Sequence, residues 1–367
     1  MQTRRRAEPA VVIGRGGRPT IADVARLAGV ARGTASKALN GSGQLRSQTR
    51  RRVLAAAEEL GFAPSPLARG LSTGRTGAVG LLTTNTMGRL SLPVLRGADD
   101  ALSERRTAIM LCDARSDPIR ERYYLTSLVG RGVDGLIVLG HRTDPRPSIT
   151  ASVAVPVVYV YSRSDDDRDH SVVPDDVTGA RLAAEHLLTL GRRRIGFVGG
   201  GEDFMASQRR LRGTRTALES AGLPPAGPPV FGPWHEVWGR RAARLLLEAA
   251  PELDGLVCAS DQLARGALDG LHAAGVRVPD DVAVVGFDNW DDMVTASQPP
   301  LTSVDMRLAE LGRVAAARLL RLVDGLAVTP GPAETSCELV VRESTMGARA
   351  RRPDSDSGDE VGSGPIQ

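Results

Sequence analysis

Most of this chain alternates short apolar segments with longer amphipathic ones, and that alternation restricts its fold more than any other feature. It runs from Ala78 to Thr345. The longer segments place apolar residues at helical spacing, so the pattern predicts β-strands joined by crossover helices. Such a rhythm is typical of an α/β fold with a parallel, doubly wound sheet. The number of strands favours two linked halves over a single sheet.

The alternation can be written as two sets of elements. The predicted strands are Ala78–Thr83, Ala108–Asp113, Gly135–Leu139, Val157–Tyr161, Ile195–Gly199, Leu256–Ala259, Val282–Phe287 and Leu339–Arg342. The predicted helices are Leu92–Glu104, Arg120–Gly130, Val177–Leu190, Ser207–Ser220, Trp238–Ala249, Gln262–Ala273 and Arg307–Val323.

Residues 20–61 have a different pattern, which predicts three short helices. The first has Thr20 as its N-terminal cap, with Asp23 in the capping-box position. Its apolar face is formed by Ile21, Val24, Ala25 and Ala28. The turn Gly29-Val30 separates it from the second helix. The three short helices together form one predicted unit.

The second and third helices complete this unit. In the second, the residues expected to face inward are Ala31, Ala35, Ala38 and Leu39, and those expected to face outward are Arg32, Gly33, Ser36 and Lys37. Ser47 is predicted to cap the third helix, and Gly61 to end it.

Three further segments lack a long periodic pattern. Residues 1–17 are rich in Arg and Gly and are interpreted as a flexible basic arm. Residues 64–76 predict a short helix from Pro66 to about Leu71, too short to be stable without a partner. Residues 347–367 are polar and are predicted to be disordered.

Charge is distributed unevenly along the chain. The formal net charge is +4, but the first 75 residues carry fourteen Lys and Arg against four acids, and the remainder is net negative. A basic front on an acidic body indicates a polyanionic partner for the front.

Several classes of protein are disfavoured. No apolar run reaches the roughly 20 residues of a membrane span, and no secretory signal is recognised, so a cytoplasmic location is expected. Cys112, Cys258 and Cys337 are widely spaced, which predicts three buried thiols and neither disulfides nor a metal site.

Signals for catalysis are weak. Gly199-Gly200-Gly201 follows a strand, but Phe204 stands where a dinucleotide-binding fingerprint needs its third glycine. His235-Glu236 lacks the second histidine of a zinc-protease motif. We therefore predict no enzyme activity and no cofactor.

Motifs along the chain resemble those of the LacI/GalR (lactose-repressor) family. The resemblance covers about residues 18–346, with motif order and spacing preserved. Its headpiece motifs are Pro19–Val30, Thr34–Asn40, Thr49–Val53 and Glu59–Phe62; its hinge motifs include Pro64, Ala68-Arg69, Leu71 and Arg75-Thr76; its core motifs include Glu185–Leu187, Gly191–Ile195, Ser260–Gln262, Gly286–Asn289, Leu301–Val304 and Leu339–Ser344.

The resemblance implies how the front of the chain binds DNA. It places base reading in the major groove on Arg32, Gly33 and Lys37, whereas Leu71 matches a leucine that wedges into the minor groove. Other predicted DNA contacts, mainly to phosphates, are Thr20, Thr34, Ser36, Asn40, Ser47, Thr49 and Arg50. Ala31 stands where the family usually has a capping serine.

The resemblance also implies an effector pocket between two Rossmann-like lobes like those of periplasmic binding proteins. Its predicted residues are Tyr161, Arg210, Trp234, Ser260 and Asp288. Carboxylate and guanidinium groups beside a flat aromatic ring suit a sugar or related polyol. Two alternatives stay open: a structural ion pair between Arg210 and Asp288, and a core position for Trp234. Gly88–Ser91 and Tyr161 depart from the family pattern.

These inferences predict a dimeric repressor that binds a pseudo-palindromic, double-stranded DNA operator under control of a small-molecule effector. The predicted domains are the arm (1–17), a helix–turn–helix domain (18–63), a hinge (64–76), an effector-binding and dimerisation domain (77–346) and the tail (347–367). A solute-binding protein for transport is the alternative.

Overall fold

The computed structural model describes residues 19–40, 43–62, 75–84 and 88–346. The chain divides into two compact units after Gly77, called here the headpiece and the body. The predicted basic arm, the predicted tail and most of the predicted hinge, including Leu71, lie outside the described residues.

The headpiece consists of three helices, as predicted: α1 (Ile21–Leu27), α2 (Arg32–Leu39) and α3 (Ser47–Glu59). Thr20 caps α1 in a complete capping box, since the Thr20 amide donates to Asp23 Oδ2 at 3.0 Å and the Asp23 amide donates to Thr20 Oγ1 at 3.4 Å. After α3 the chain turns at Gly61, whose φ of +60° is readily adopted only by glycine.

Two local predictions for the headpiece are wrong. Ser47 does not cap α3: it is the first helical residue, and the cap is Arg46, which makes no side-chain capping bond. Ala31 is exposed and does not face inward, because it is the N-cap of α2 and precedes the helix.

Small side chains form the core of the headpiece. Its buried members are Val24, Ala25, Ala28, Ala35, Ala38, Val53, Ala56 and Ala57. Each of the three helices contributes to this set, so the three apolar faces meet as the periodicity predicts. The small side chains let the helices approach closely but bury little apolar area.

The body contains two six-stranded sheets, one in each lobe. The first-lobe sheet is wholly parallel and consists of β1 (Ala78–Thr83), β2 (Ala108–Asp113), β3 (Gly135–Leu139), β5 (Val157–Val160), β7 (His170–Pro174) and β13 (Gly331–Thr335), in the order β13-β7-β5-β3-β1-β2. The short strands β4 (Pro145–Arg146) and β6 (Arg163–Ser164) pair separately.

The second-lobe sheet repeats this topology with one antiparallel edge strand. It consists of β8 (Ile195–Gly199), β9 (Val230–Phe231), β10 (Gly255–Cys258), β11 (Ala283–Phe287), β12 (Thr302–Asp305) and β14 (Glu338–Val340), in the order β14-β12-β11-β10-β8-β9. Only β14 runs antiparallel to its neighbour. The predicted α/β class with two Rossmann-like lobes is confirmed.

Helices cover both sheets. Those of the body are α4 (Ser91–Ser103), α5 (Pro118–Gly130), α6 (Asp176–Thr189), α7 (Met205–Ser220), α8 (Glu236–Ala249), α9 (Asp261–Ala273), α10 (Asp291–Ala296), α11 (Leu308–Val323) and α12 (Glu343–Met346). No described helix is long and apolar enough to cross a membrane.

The chain crosses between the lobes three times. It leaves the first lobe between β7 and α6, returns between β12 and α11, and leaves again between β13 and β14. The first of these crossing segments contains Asp175 and includes Asp176, the first residue of α6; the other two contain Met306 and Arg307, and Ser336 and Cys337. Within the part of the chain that the structure describes they are the only covalent connections between the lobes, so a change in lobe orientation has to bend them.

The exposure of the three cysteines differs in part from the prediction. Cys258 and Cys337 are buried, but Cys112 is only half-buried because it lies on β2, the edge strand of the first sheet. Burial raises the pKa of all three thiols. Among the described residues, no cluster of His, Cys, Asp and Glu could hold a metal ion.

Candidate functional site

Helix α2 presents the side chains predicted to read bases. Arg32, Gly33 and Lys37 are exposed, whereas Ala35 and Ala38 on the opposite face are buried. Gly33 has open space around it, with no atom within 4 Å of where a Cβ would lie. The predicted outward face of α2 is therefore available to a partner.

The N-terminus of α2 adds a positive partial charge to this face. Ala31 provides no side-chain cap, so the first amide groups of the helix have no acceptor from its side chain. Free amides and the helix dipole both favour an anion at this end. Thr34, predicted to contact phosphate, is half-buried in the first turn.

The remaining predicted DNA contacts lie around α2. Asn40 is exposed, and its side-chain amide donates to the hydroxyl of the half-buried Ser36 at 3.4 Å. On α3, Ser47 is exposed and Thr49 and Arg50 are half-buried. The structure thus brings together on the headpiece every predicted DNA-contacting residue that it describes.

Thr20 is less available than the sequence suggests. Its hydroxyl donates to Asp23 Oδ2 at 2.7 Å while accepting the bond that caps α1. These hydrogen bonds from Thr20, the side-chain one first, lower the pKa of Asp23. The hydroxyl proton is therefore already used within the headpiece.

In the body, Arg210 lies at the centre of the predicted effector residues. It extends from α7 and is 2% exposed. Its Nε donates to Asp176 Oδ1 at 2.9 Å and its Nη1 to the Ala259 carbonyl. The Asp288 carboxylate lies 3.5 Å from Nη1, and the guanidinium stacks 3.7 Å from the centre of the Phe287 ring.

These contacts tie Arg210 to the segments that join the lobes. Asp176 belongs to the first crossing segment, and Met306, whose sulfur lies 3.4 Å from Arg210 Nη2, belongs to the second. The third segment packs on the first, since Cys337 Sγ lies 3.5 Å from the Asp175 carbonyl oxygen. Arg210 therefore contacts two of the three segments that join the lobes.

The acidic neighbours of Arg210 favour its charged form. Burial opposes the charge of Arg210, but Asp176 and Asp288 outweigh it and hold the pKa of Arg210 above its ordinary value. Burial raises the pKa of Asp176, although Arg210 pulls it back. A buried charge of this kind needs its partners, because an unpaired one is costly in a low-dielectric interior.

Tyr161 and Ser260 flank the same cluster at the ends of strands. Tyr161 follows β5, has a φ of +54°, and points its hydroxyl towards the Met306 sulfur at 3.9 Å. Burial raises its pKa. Ser260 follows β10 and caps α9 by accepting a bond from the Leu263 amide at 3.3 Å. Its hydroxyl proton has no acceptor among the described residues and can serve a ligand.

Trp234 lies in an aromatic group at the edge of the second lobe. Its ring meets Phe204 edge to face at 5.7 Å, and Arg142 of the first lobe stacks 3.6 Å from the Phe204 ring centre. Trp234 is half-buried, and its buried Nε1 has no hydrogen-bond partner among the described residues. A buried donor of this kind is available to a ligand.

A cavity of about 1450 Å³ opens beside the carboxyl ends of the first-lobe strands. Thr84, Gly140 and Ser162 contribute to its wall, with α5 on one side. This is where open α/β sheets bind ligands, since β1 and β3 are the strands at which the order reverses. None of the five predicted effector residues lines it, and four of them are more than nine-tenths buried.

Sequence reasoning missed three residues of this site. Asp176 was overlooked because β7, the strand before it, was not predicted. Asp261 holds the loop after β11, accepting from the Ser303 hydroxyl at 2.6 Å and from the Trp290 amide at 2.7 Å. Arg89 donates to Asp288 Oδ2 at 2.7 Å from the segment noted only for departing from the family pattern.

Comparison with known proteins gives two matches to family models. Residues 20–65 match the model for bacterial regulatory proteins of the lacI family, and residues 184–345 match a periplasmic binding protein-like domain. The first match covers α1 to α3, and the second covers most of the second lobe.

Curated relatives match over nearly their whole length. One is the HTH-type transcriptional regulator CelR of Thermobifida fusca, 37% identical over 89% of this chain and 98% of the relative. Another is a ribose operon repressor of Halalkalibacterium halodurans, 30% identical over 89% and 97%. This chain belongs to the lacI family of bacterial regulatory proteins.

Solved structures agree with this membership. A complex of the transcriptional regulator CelR with cellobiose is 33% identical, with a TM-score of 0.63, over 89% of this chain and 100% of that chain. The lac repressor dimer bound to operator and an anti-inducer is 26% identical, with a TM-score of 0.73, over 90% and 99%. The predicted LacI/GalR membership is confirmed, and the regulator is favoured over a transport protein.

Proposed function

We propose that this lacI-family regulator is a repressor whose headpiece binds a DNA operator. Binding of a neutral polyhydroxylated effector to the body weakens or strengthens this DNA binding. The observation that carries the proposal is the position of Arg210, which joins the predicted pocket to two of the three segments between the lobes. Such a regulator acts beside the chromosome, in the cytoplasm.

On the headpiece, the exposed α2 would lie in the major groove. Arg32 offers a bidentate fork to guanine and Lys37 a single ammonium to the same base edge. Gly33 has no side chain and leaves room for a base or phosphate to approach. Thr34, Thr49 and Arg50 are placed to bind phosphates, which orient the headpiece without reading sequence.

In the body, Asp288 and Arg210 would hold hydroxyl groups while Trp234 packs on a sugar ring. The charges of Arg210 and Arg89 are balanced by those of Asp176 and Asp288, which suits a neutral ligand. The cellobiose bound by the CelR structure and the ribose named for the operon repressors support a carbohydrate.

A homodimer would place two headpieces on a pseudo-palindromic operator. Edge strand β2 and the neighbouring α5 expose Leu111, Ile119 and Tyr123, which are 43%, 81% and 67% exposed. An open strand edge beside exposed apolar side chains is a surface suited to a second copy. The lac repressor structure is a dimer bound to its operator, which supports the same arrangement.

The function of the headpiece is tested by a base-substitution series with the full-length protein. Arg32→Ala and Lys37→Ala should each relax operator selectivity, by about 1–3 kcal/mol per lost base contact. Arg50→Ala should weaken binding to all sequences alike. Arg105→Ala, on the surface of the body, is the control. Unchanged selectivity in the α2 variants would reject the base-reading assignment.

The function of the body is tested with Asp288→Asn, which keeps the shape of the side chain. It should retain operator affinity while losing the response to the effector. A screen of sugars and related polyols by thermal shift of the full-length protein would identify that effector, because a ligand that binds the folded state raises stability. A normal effector response in Asp288→Asn would place the pocket elsewhere.

A further inference from the structure

Arg89 connects the two lobes through the predicted effector site. It lies in the first lobe, two residues before α4, and its Nη1 donates to Asp288 Oδ2 at 2.7 Å. Its guanidinium also lies 5.0 Å from the centre of the Trp290 ring. Both partners belong to the loop after β11 in the second lobe.

These two contacts resemble those that a sugar would make. The carboxylate of Asp288 accepts hydrogen bonds, and the face of Trp290 accepts a flat or apolar surface. Arg89 donates a hydrogen bond to the Asp288 carboxylate and places its planar guanidinium group near the Trp290 ring. The other oxygen of Asp288 faces Arg210 at 3.5 Å, so guanidinium groups cover both oxygens.

The contact is neither fully buried nor fully exposed. The Arg89 side chain is 25% exposed and that of Asp288 is 5% exposed. Burial opposes the charge of Arg89, but the Asp288 carboxylate outweighs it and holds its pKa above the ordinary value. A side chain that reaches its partner from a loop in another lobe can be displaced without opening the core of either lobe.

We propose that Arg89 is an internal occupant of the effector subsite formed by Asp288 and Trp290, and that the effector binds by displacing its guanidinium. The inference rests on the proposed function, because it assigns this subsite to the effector. The displacing group must offer hydroxyl donors to Asp288 and carry no negative charge, since an anion cannot replace a cation on a carboxylate.

Two consequences follow for the protein without effector. Arg89 joins the lobes directly, so its removal loosens the loop after β11 and the start of α4. While it is present, Arg89 also reduces the fraction of molecules whose subsite is open, and the apparent affinity for the effector falls in proportion to that fraction. Removing Arg89 should therefore strengthen effector binding, the opposite of what removal of an effector ligand does.

The first test needs no ligand. Hydrogen exchange of the effector-free, full-length protein is compared for wild type, Arg89→Met and Arg96→Met, since Arg96 is exposed on α4 of the same lobe. We expect faster exchange at residues 288–292 and 90–95 in Arg89→Met and no change in Arg96→Met. Equal exchange in all three proteins would show that Arg89 does not hold the loop after β11, which overturns the proposal.

The second test uses cellobiose and ribose as probes in calorimetric titration of the same three proteins. We expect Arg89→Met to bind the recognised sugar about tenfold more tightly than wild type, with Arg96→Met unchanged. Weaker binding in Arg89→Met would show that Arg89 holds the effector, which overturns displacement. If neither sugar nor any polyol of the screen binds wild type or variant, the proposed function fails, and the exchange result alone decides whether Arg89 occupies the subsite.

Discussion

The headpiece and the body are built from different side chains. Six of the eight buried core residues of the headpiece are alanines. The body instead buries large side chains such as Tyr159, Phe287 and Leu136 on and around its strands. Because apolar burial stabilises in proportion to area, the headpiece depends far more on its helix ends and turns than the body does.

The functional side chains differ in the same way. Arg32 and Lys37 on the headpiece are exposed, so changing them alters what the surface binds and leaves packing intact. Arg210 and Asp288 in the body are buried and pair with each other. Arg210 also contacts two of the crossing segments between the lobes. A surface site and a buried site therefore fail in different ways when they are mutated.

The largest effect should follow Arg210→Met, which leaves the buried Asp176 carboxylate without its main partner and removes one of the two guanidinium groups beside Asp288. Breaking a buried pair in this way costs about 3–5 kcal/mol. Calorimetry of the body's unfolding transition should show the loss. Arg265→Met removes a half-exposed ion pair with Asp269 and should cost about 1 kcal/mol at most. Equal losses in the two variants would contradict the distinction between buried and surface sites.

A second effect should appear as pH dependence in the body. Burial, with the nearby charge of Asp288, raises the pKa of Asp261 to about 8, above its ordinary value of 3.8. Between these two pKa values the folded state therefore keeps the proton of Asp261, whereas the unfolded state has lost it. The stabilisation is complete below the ordinary pKa of Asp261 and is lost progressively as pH rises towards 8.

Denaturant unfolding at pH 5 and pH 8 measures this dependence. Asp261→Asn imitates the protonated acid and should reduce the difference in stability between the two pH values. Asp99→Asn, on the exposed face of α4, should leave it unchanged. A wild-type body that gains stability over this range, with the gain kept in Asp261→Asn, would contradict the assignment.

In the headpiece, Ala31→Ser should restore a side-chain cap to α2. Replacing alanine with a capping serine is worth about 1 kcal/mol. The midpoint of headpiece unfolding, followed by circular dichroism of the full-length protein, should rise while the body transition stays in place. Ala55→Ser, on the exposed face of α3, is the control and should give no gain. A stability gain no larger than that of the control would show that the missing cap does not limit the headpiece.

The smallest effect is expected from Gly33→Ala. The added methyl group meets no atom within 4 Å, and alanine favours a helix over glycine by about 0.5–1 kcal/mol. Headpiece stability should rise slightly, whereas operator affinity should fall if a base or phosphate approaches this position. Unchanged operator affinity would remove Gly33 from the DNA-contacting surface.

The headpiece and the body also differ in how much of their structure the sequence predicts. Helices α1 to α3 follow from local signals such as the Thr20 capping box and Gly61, and β1, β2 and β3 follow from continuous apolar runs. Strands β7, β12 and β13 were missed because they carry polar residues, as in Thr302–Asp305.

Contacts within the body site could not be predicted in this way. Arg210 and Asp176 are 34 positions apart in sequence, and Arg89 and Asp288 are 199 apart. No local pattern joins residues at such separations; the crossing segments and the two sheets bring them together. The headpiece surface, by contrast, lies on consecutive turns of one helix.

The central claim is that the headpiece binds a specific duplex and that a polyol in the body controls this binding. The most direct measurement is a titration of full-length protein against genomic fragments and a random duplex of equal length, with and without the sugars of the screen. We expect the protein to prefer at least one fragment, to lose affinity for it steeply as salt rises, and to bind it with a different affinity when one of the sugars is present. Equal affinity for all duplexes in every condition would contradict it.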